Sequence, residues 1–194
     1  MDQSVLKAMI RWPDVPAVYG WLSLDRRGQW RLRGEVLSQP AIRDFINRNY
    51  ARDVRGCWYF QNGPQRVFVS LKYTPWVYRL HTGGALYSHT GVCAGAARQV
   101  FMDENGAVLF DTVLGIGLLD DRDLSLFSNA LGIAGDADPG DEAIADQLEA
   151  LADGRVAGMN FLTEGNPLPL QPISRMQVAA QFEFDPDPQA PGGS

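Results

Sequence analysis

Two histidines and two cysteines carry the most reactive side chains of this 194-residue chain. His81 and His89 flank the tripeptide Thr-Gly-Gly at 82–84, which is typical of a turn between two strands. In such a hairpin the two imidazoles could approach each other, and an imidazole beside Cys57 or Cys93 would lower the pKa of the thiol and create a nucleophile. His81, His89 and Cys57 are therefore the candidate catalytic residues of a small enzyme. The alternative is that both histidines are ordinary polar residues at strand ends, because no nucleophile motif surrounds either cysteine.

Metal and cofactor sites are not predicted. Zinc requires three or four ligands at close spacing, and the two histidines with Asp103 or Asp111 lack that spacing. The cysteines do not form a CxxC motif, so we expect both to be free buried thiols. The glycines at 83–84 and in 114–119 match neither common phosphate-binding pattern. We therefore expect no metal and no cofactor.

Arginines alternate with aromatic residues in the N-terminal half of the chain. Four arginines fall at 26–33 and four more at 43–55, with tryptophans and tyrosines between them. Guanidinium groups beside exposed rings could hold phosphates and stack on bases. The candidate ligand-binding residues are Arg31, Arg33, Arg48, Asn49, Tyr50 and Trp58.

The charge of the chain is divided unevenly. Residues 1–80 contain 13 Lys/Arg and 6 Asp/Glu, residues 81–194 contain 4 and 17, and the net charge is −6. The acidic total disfavours nucleic acid as a partner, so a polyanion bound by the basic half is the second alternative. Acidic helices at 120–153 could instead pack on the basic hairpin, within one chain or between two chains as a homodimer or with another protein. Both charged regions could also be simple solvated faces.

Asn47 and Asn49 lie in a predicted helix, where asparagine is unfavourable. A hydrogen-bonding role would explain them, either to neighbouring backbone or to a ligand, and we favour the backbone.

A β-hairpin over residues 56–73 organises the predicted fold. Strand-forming residues at 57–60 precede the turn signal Asn62-Gly63-Pro64, and residues 66–73 alternate between apolar and polar. Further hairpins are predicted over 17–33, 76–90 and 98–112. Apolar residues at helical spacing and Pro40 predict a helix from about 40 to 51.

The pattern changes after residue 119. Helices are predicted at 120–131 and 142–153, an extended crossing with little regular signal at 155–173, and a strand at 174–184. The class is therefore α+β, an antiparallel meander that could curl into a half-barrel, packed with one early helix and two later helices. We expect a core domain at 1–132, a helical and extended appendage at 133–184, and a disordered tail at 185–194.

Three motifs resemble a family of uncharacterised proteobacterial proteins of unknown function: FINRNY at 45–50, WYFQNGPQRVFV at 58–69 and TPWVYRL at 74–80. The resemblance covers about residues 5–132 and implies a bacterial cytoplasmic origin, but no activity. The N-terminus lacks a secretory signal pattern and no run of 18 apolar residues could cross a membrane, which also favours the cytoplasm. The sequence thus favours a non-catalytic binding or protein-interaction module.

Overall fold

The chain divides into two compact units in the computed structural model, which describes residues 1–13, 15–135, 140–156, 158–163 and 166–191. Unit 1 comprises residues 1–75 and 89–91 with the described residues from 183 onward, and unit 2 comprises 76–88 and 92–182. The predicted boundary at residues 132 and 133 falls inside a strand of unit 2. No helix among the described residues combines the length and apolar character that crossing a bilayer demands.

Unit 1 is built on a six-stranded sheet. Its helices are α1 (Gln3–Arg11) and α2 (Pro40–Arg48). Its strands are β1 (Val18–Leu24), β2 (Trp30–Leu32), β3 (Glu35–Val36), β4 (Tyr50–Arg52), β5 (Trp58–Asn62) and β6 (Gln65–Leu71). They lie in the order β3-β2-β1-β6-β5-β4, and only the β1–β6 pair within this sheet is parallel.

The hairpin of β5 and β6 forms where the sequence predicts it. Asn62 pairs with Gln65, so the two loop residues are Gly63 and Pro64. Gly63 has a φ of +57°, which suits the first loop position of a tight hairpin turn. Pro64 lies in the loop itself, where its missing N–H removes no bond from the ladder. The turn is therefore shifted by one residue from Asn62-Gly63.

The two faces of the six-stranded sheet are covered differently. We call the side that packs on α2 the inner face; there the rings of Phe45 of α2 and Phe60 of β5 pack edge to face, with their centres 5.4 Å apart. Helix α2 begins at Pro40 and ends at Arg48, three residues before the predicted end at about 51. At this end the N–H of Asn49 donates to Ile46 O. The chain then turns into β4, because Tyr50 pairs with Phe60. The opposite side is the outer face.

Unit 2 is built on a nine-stranded sheet that curls as a half-barrel, in the order β13-β14-β15-β10-β11-β12-β7-β8-β9. Its helices are a 3₁₀ helix (Asp121–Asp123), α3 (Leu124–Ser128), α4 (Asp141–Ala152) and α5 (Val178–Gln181). Its strands are β7 (Trp76–Leu80), β8 (Leu86–Ser88), β9 (Cys93–Gly95), β10 (Gln99–Asp103), β11 (Val108–Thr112), β12 (Gly115–Leu119), β13 (Leu131–Ile133), β14 (Met159–Phe161) and β15 (Leu168–Ile173).

The predicted α+β class is confirmed, and the hairpins over 17–33, 56–73, 76–90 and 98–112 are present. The sheets are mixed, however, because β1–β6, β7–β12 and β10–β15 pair in parallel. A parallel pair joins strands that are distant in the chain, so local turn signals cannot reveal it.

One prediction for the C-terminal third is wrong and another is incomplete. The segment at 155–173, expected to be an extended crossing with little regular structure, contains the strands β14 and β15, despite Pro169 and Pro172. These prolines are tolerated because β14 pairs with residues 168–169 and β10 with 170–173, so each position has one neighbour. The expected strand at 174–184 instead contains α5, since Val178 and Phe182, four residues apart, also fit one face of a helix.

Residues 183–188, which we call the C-terminal strap, lie against unit 1, although a disordered tail was expected from 185. Asp185 bridges to Cys57, and the N–H of Leu71 donates to Pro186 O at 2.7 Å. Gly56 permits this approach, because a Cβ there would lie 2.4 Å from Glu183 O. The tail prediction therefore differs from the structure over 185–188, where backbone bonds offset the low apolar content.

Candidate functional site

The histidine region forms no catalytic pair of the predicted kind. The N–H of His81 bonds to Ala85 O, whereas Ser88, next to His89, pairs with Tyr78. The two histidines are therefore not cross-strand partners. In unit 2 the His81 ring lies 4.7 Å from the ring of Tyr87 and lines a cleft of about 360 Å³.

Neither cysteine is placed as an activated nucleophile. The buried thiol of Cys57 lies 3.6 Å from a carboxylate oxygen of Asp185. Burial, together with the carboxylates of Asp53 and Asp185, raises the pKa of Cys57, which is the opposite of what a nucleophile requires. Cys93 is exposed, so the expectation of two buried thiols is wrong for Cys93. It lies on the short strand β9.

An aromatic cluster on the inner face of unit 1 surrounds the other histidine. The ring of His89 lies 5.3 Å from Trp30 and 5.8 Å from Tyr50, and Tyr50 lies 4.8 Å from Trp58. Three residues proposed from the sequence, His89, Tyr50 and Trp58, thus meet here. Sequence reasoning proposed them separately, and the fold brings them together because β4 pairs with β5.

The environment of this cluster keeps its titratable groups neutral. Burial lowers the pKa of His89 to about 3, so the imidazole is uncharged at neutral pH. Burial also raises the pKa of Tyr50, whose hydroxyl donates to Pro75 O at 3.0 Å. The cluster therefore offers polar, uncharged groups within an aromatic environment.

A cavity of about 270 Å³ opens beside His89 within unit 1. Trp30, Asn47, Arg43 and Asp44 contribute to its lining. The indole N–H of Trp30 donates to Asn47 Oδ1 at 2.7 Å, which fixes the orientation of the amide. Trp30 was not among the candidate binding residues from the sequence, and for Asn47 a ligand was the less favoured of two roles suggested by its unfavourable position in a helix.

The other proposed ligand residues are held elsewhere in unit 1. Asn49 is buried, accepts from the N–H of Asp2 at 2.8 Å and donates to Phe45 O at 2.9 Å. Arg48 pairs with Asp2 at 3.3 Å, and Arg31 pairs with Asp25 at 2.9 Å. Asn49 and Arg48 thus connect the end of α2 to Asp2 at the start of the chain, and none of these three candidate residues lines the cavity.

The outer face of the same sheet carries a layer of rings beneath arginines. Tyr19 stacks on Phe68 at 4.6 Å, and Tyr59 meets Phe68 at 5.9 Å. Trp21 lies on this face too, because its neighbour Leu22 pairs with Val69 on the other side. A shift in register around Gly20, where φ is +72°, places Tyr19 and Trp21 together.

Arginine side chains cover these rings. The guanidinium carbon of Arg33 lies 3.8 Å from the Trp21 ring, that of Arg66 4.7 Å from Tyr59, and that of Arg55 5.6 Å from Phe68. We call this set the arginine–aromatic face: Tyr19, Trp21, Tyr59, Phe68, Arg33, Arg55 and Arg66. Trp21 remains 48% exposed. Arg55 also pairs with Asp53 at 2.9 Å, whereas Arg33 and Arg66 contact no carboxylate among the residues described.

In unit 2, Arg79 and Asp123 form an ion pair with a structural role. Arg79 donates twice to Asp123, at 2.6 and 2.9 Å, and Asp123 also accepts from the N–H of Leu80. The hydrogen bonds from Arg79 lower the pKa of Asp123, although burial opposes the shift. These bonds join the 3₁₀ helix to β7. Over the part of the chain that is described, no group of three acidic, histidine or cysteine residues could hold a metal ion.

Helix α4 of unit 2 carries an acidic stripe that we define as Glu142, Asp146 and Glu149. The spacing of four and three residues puts them on one helix face, and all three are exposed. Within the described ranges, none of the three forms an ion pair or a side-chain hydrogen bond. The stripe is therefore a set of carboxylates available to a partner.

Comparison with known structures identifies the fold. A DUF1285 family protein from Silicibacter pomeroyi DSS-3 is similar at a TM-score of 0.53 and 14% identity, over 84% of this chain and 87% of that chain. A DUF1285 family protein from Shewanella baltica OS155 has a TM-score of 0.39 and 12% identity, over 56% and 91%. At such low identity the first likeness concerns the fold alone.

No curated protein matches the sequence. The family model described as "Protein of unknown function (DUF2946)" matches residues 1–189. This agrees with the resemblance of the three motifs to a family without a known activity. Because the match spans nearly the whole chain, the protein belongs to this family of proteins of unknown function.

Proposed function

We propose that this protein is a non-catalytic interaction module that binds acidic protein surfaces through its arginine–aromatic face, and that its own acidic stripe makes a second copy the partner. The observation that carries the proposal is the charge on Arg33 and Arg66. Both guanidinium groups stack on rings and contact no described carboxylate. They therefore add positive charge next to the half-exposed ring of Trp21, and arginine beside an exposed aromatic ring is a composition favoured at the centre of protein interfaces.

The acidic stripe on α4 supplies the complementary surface. Its three carboxylates recur along one exposed face of a 12-residue helix. A guanidinium over a ring keeps its N–H groups at the edge of the stack, where they can donate to carboxylates in two parallel bonds. In a two-fold dimer each chain contributes one face and one stripe, so the contact is made twice.

A polyanion is the less favoured occupant of the same face. Nucleic-acid binding would use Trp21 and Arg33 for stacking, but the chain carries a net charge of −6, which opposes nonspecific binding of phosphate backbones. In the C-terminal strap, the carboxylate of Asp187 accepts a hydrogen bond at 2.6 Å from the hydroxyl of Ser70, next to this face. An acidic peptide segment of the protein itself thus already lies beside these residues.

Charge reversal tests the dimer. We expect the wild type to be a dimer by light scattering at 50 mM salt and to dissociate at 500 mM, since the contacts are between exposed charges. The face variant Arg33→Glu/Arg66→Glu and the stripe variant Glu142→Arg/Glu149→Arg should each be monomeric. When mixed, they should form a heterodimer, because every face then meets a stripe of opposite sign.

Arg43→Glu is the matched control, since it reverses an exposed arginine on the other side of the sheet. It should leave the dimer intact. A wild type that is monomeric at 50 mM salt would refute the proposal. So would reversed variants that still dimerise alone, or a mixture that stays monomeric.

The cytoplasmic location and proteobacterial origin are further parts of this proposal. The support for both is the resemblance of the motifs at 45–50, 58–69 and 74–80 to the proteobacterial family. Fractionation of bacteria that produce the tagged chain tests the location, and recovery in the membrane or periplasmic fraction would contradict it.

A further inference from the structure

The cavity beside His89 has features of a built binding site that the proposed dimer does not use. Its volume of about 270 Å³ is slightly below the range common for drug-sized ligands, so it suits a molecule with one ring. Trp30, which forms one wall, is 2% exposed, and the neutral imidazole of His89 lies 5.3 Å from it. The wall is therefore rigid and aromatic.

The side-chain amide nitrogen of Asn47 is a hydrogen-bond donor that can meet a ligand. Its Oδ1 accepts from Trp30 Nε1, which leaves the amide nitrogen as the group that can meet a ligand. None of the residues described accepts a hydrogen bond from that nitrogen. A buried indole N–H thus orients a donor toward the cavity.

Arg43 and Asp44 add one charge of each sign at the cavity. Both side chains are exposed, and neither forms a side-chain hydrogen bond or an ion pair within the described part of the chain. A guanidinium is suited to bind a carboxylate in two parallel bonds. The neighbouring carboxylate of Asp44 would repel a simple anion, but it would accept a hydrogen bond from an N–H group of a ligand.

From this arrangement we infer that the cavity binds a small aromatic carboxylate that also carries an N–H donor, such as an aminobenzoate or a pyrrole carboxylate. The carboxylate of the ligand accepts from Arg43 and from the Asn47 amide. The N–H donates to Asp44. The ring lies beside Trp30 and His89. No covalent step is involved.

Calorimetry with 4-aminobenzoate and pyrrole-2-carboxylate tests this inference on the full chain. We expect saturable binding of at least one probe, and at least 10-fold weaker binding of benzoate and of aniline, which each lack one of the two groups. Absence of saturable binding of both probes at concentrations up to 10 mM would refute the inference. Equal binding of benzoate would refute the role of Asp44.

Three variants separate the site from the fold. Arg43→Ala should weaken binding at least 10-fold without a loss of stability, because its side chain is exposed. Asn47→Asp keeps the acceptor for Trp30 but removes the donor, so it should weaken binding similarly. Arg48→Ala, on the same helix but paired with Asp2, should bind as the wild type does. Wild-type affinity in Arg43→Ala and Asn47→Asp would overturn the assignment.

Discussion

On the inner face of the six-stranded sheet, helix α2 covers the rings and leaves Trp30 2% exposed, whereas on the outer face arginines cover them and leave Trp21 48% exposed. Both faces are rich in aromatic residues, but α2 packs on the inner face, whereas Arg33, Arg55 and Arg66 lie over rings of the outer face. The long arginine stems can shield apolar surface while their charged ends stay in water. The outer face therefore keeps the ring of Trp21 about half exposed beside the Arg33 guanidinium.

The largest difference in stability between the two faces should appear when one tryptophan is removed from each face. Trp30→Ala should lower the free energy of unfolding by about 3–5 kcal/mol, because it creates a buried cavity and leaves Asn47 Oδ1 without its donor. Trp21→Ala should cost about 1 kcal/mol or less, since its ring is half in solvent. Urea unfolding of both variants measures the difference. Equal losses would show that arginines cover a sheet as effectively as a helix.

Acidic pH should lower the stability of the folded protein, because His89 is held neutral on the inner face. Its pKa is lowered to about 3 in the folded protein, against about 6.5 in the unfolded chain, so below pH 6.5 the unfolded chain binds a proton that the folded protein does not. Stability should therefore fall by about 1.4 kcal/mol per pH unit, which is about 2 kcal/mol from pH 6.5 to 5.

Urea unfolding between pH 7 and 5 compares the wild type with His89→Gln, which cannot titrate. This window lies above the range in which Asp53 and Asp123, whose pKa values are lowered, take up protons. The variant should show a flatter pH dependence. The same slope in both proteins would contradict a neutral, enclosed His89.

Substitution of Gly56 should release the C-terminal strap from the rest of unit 1. Gly56→Ala adds a Cβ that would lie 2.4 Å from Glu183 O at a φ of +85°, so we expect a loss of about 1–2 kcal/mol and release of the strap. Limited proteolysis with mass spectrometry should detect earlier cleavage near residue 183. Gly34→Ala is the control, because φ is +90° there but no atom lies within 4 Å. Equal protection of the strap in both variants would contradict the role of Gly56.

The smallest effect is expected for the arginines themselves. Arg66→Gln removes a cation from the Tyr59 ring and should lower the free energy of unfolding by about 0.5–1 kcal/mol. Its effect on self-association, followed by light scattering at low salt, should be much larger than its effect on stability. A large loss of stability with unchanged association would make this arginine part of the fold and not of a partner site.

Local sequence patterns predicted many of the strands and helices of this protein. Turn residues and alternation predicted four hairpins, and Pro40 with a helical stripe predicted α2, because these features depend on neighbours within a few residues. The same reasoning failed at 174–184, where apolar alternation also fits a short helix, and at 155–173, where prolines hid β15. At 155–173 the outcome depends on the pairing of β15 with β10, a contact between residues about 70 positions apart.

The candidate sites show the same division between sequence and fold. The sequence alone determined which residues could bind: arginines among aromatic rings, an acidic helix, a histidine, and an asparagine at an unfavourable helix position. Only the tertiary structure decided which of them meet. Packing of α2 on the sheet placed Asn47 against Trp30 at the cavity that His89 also lines, while the register shift in β1 directed Trp21 to the opposite face. Side-chain direction in a sheet alternates residue by residue, so one shift in long-range register separates a buried wall from an exposed surface.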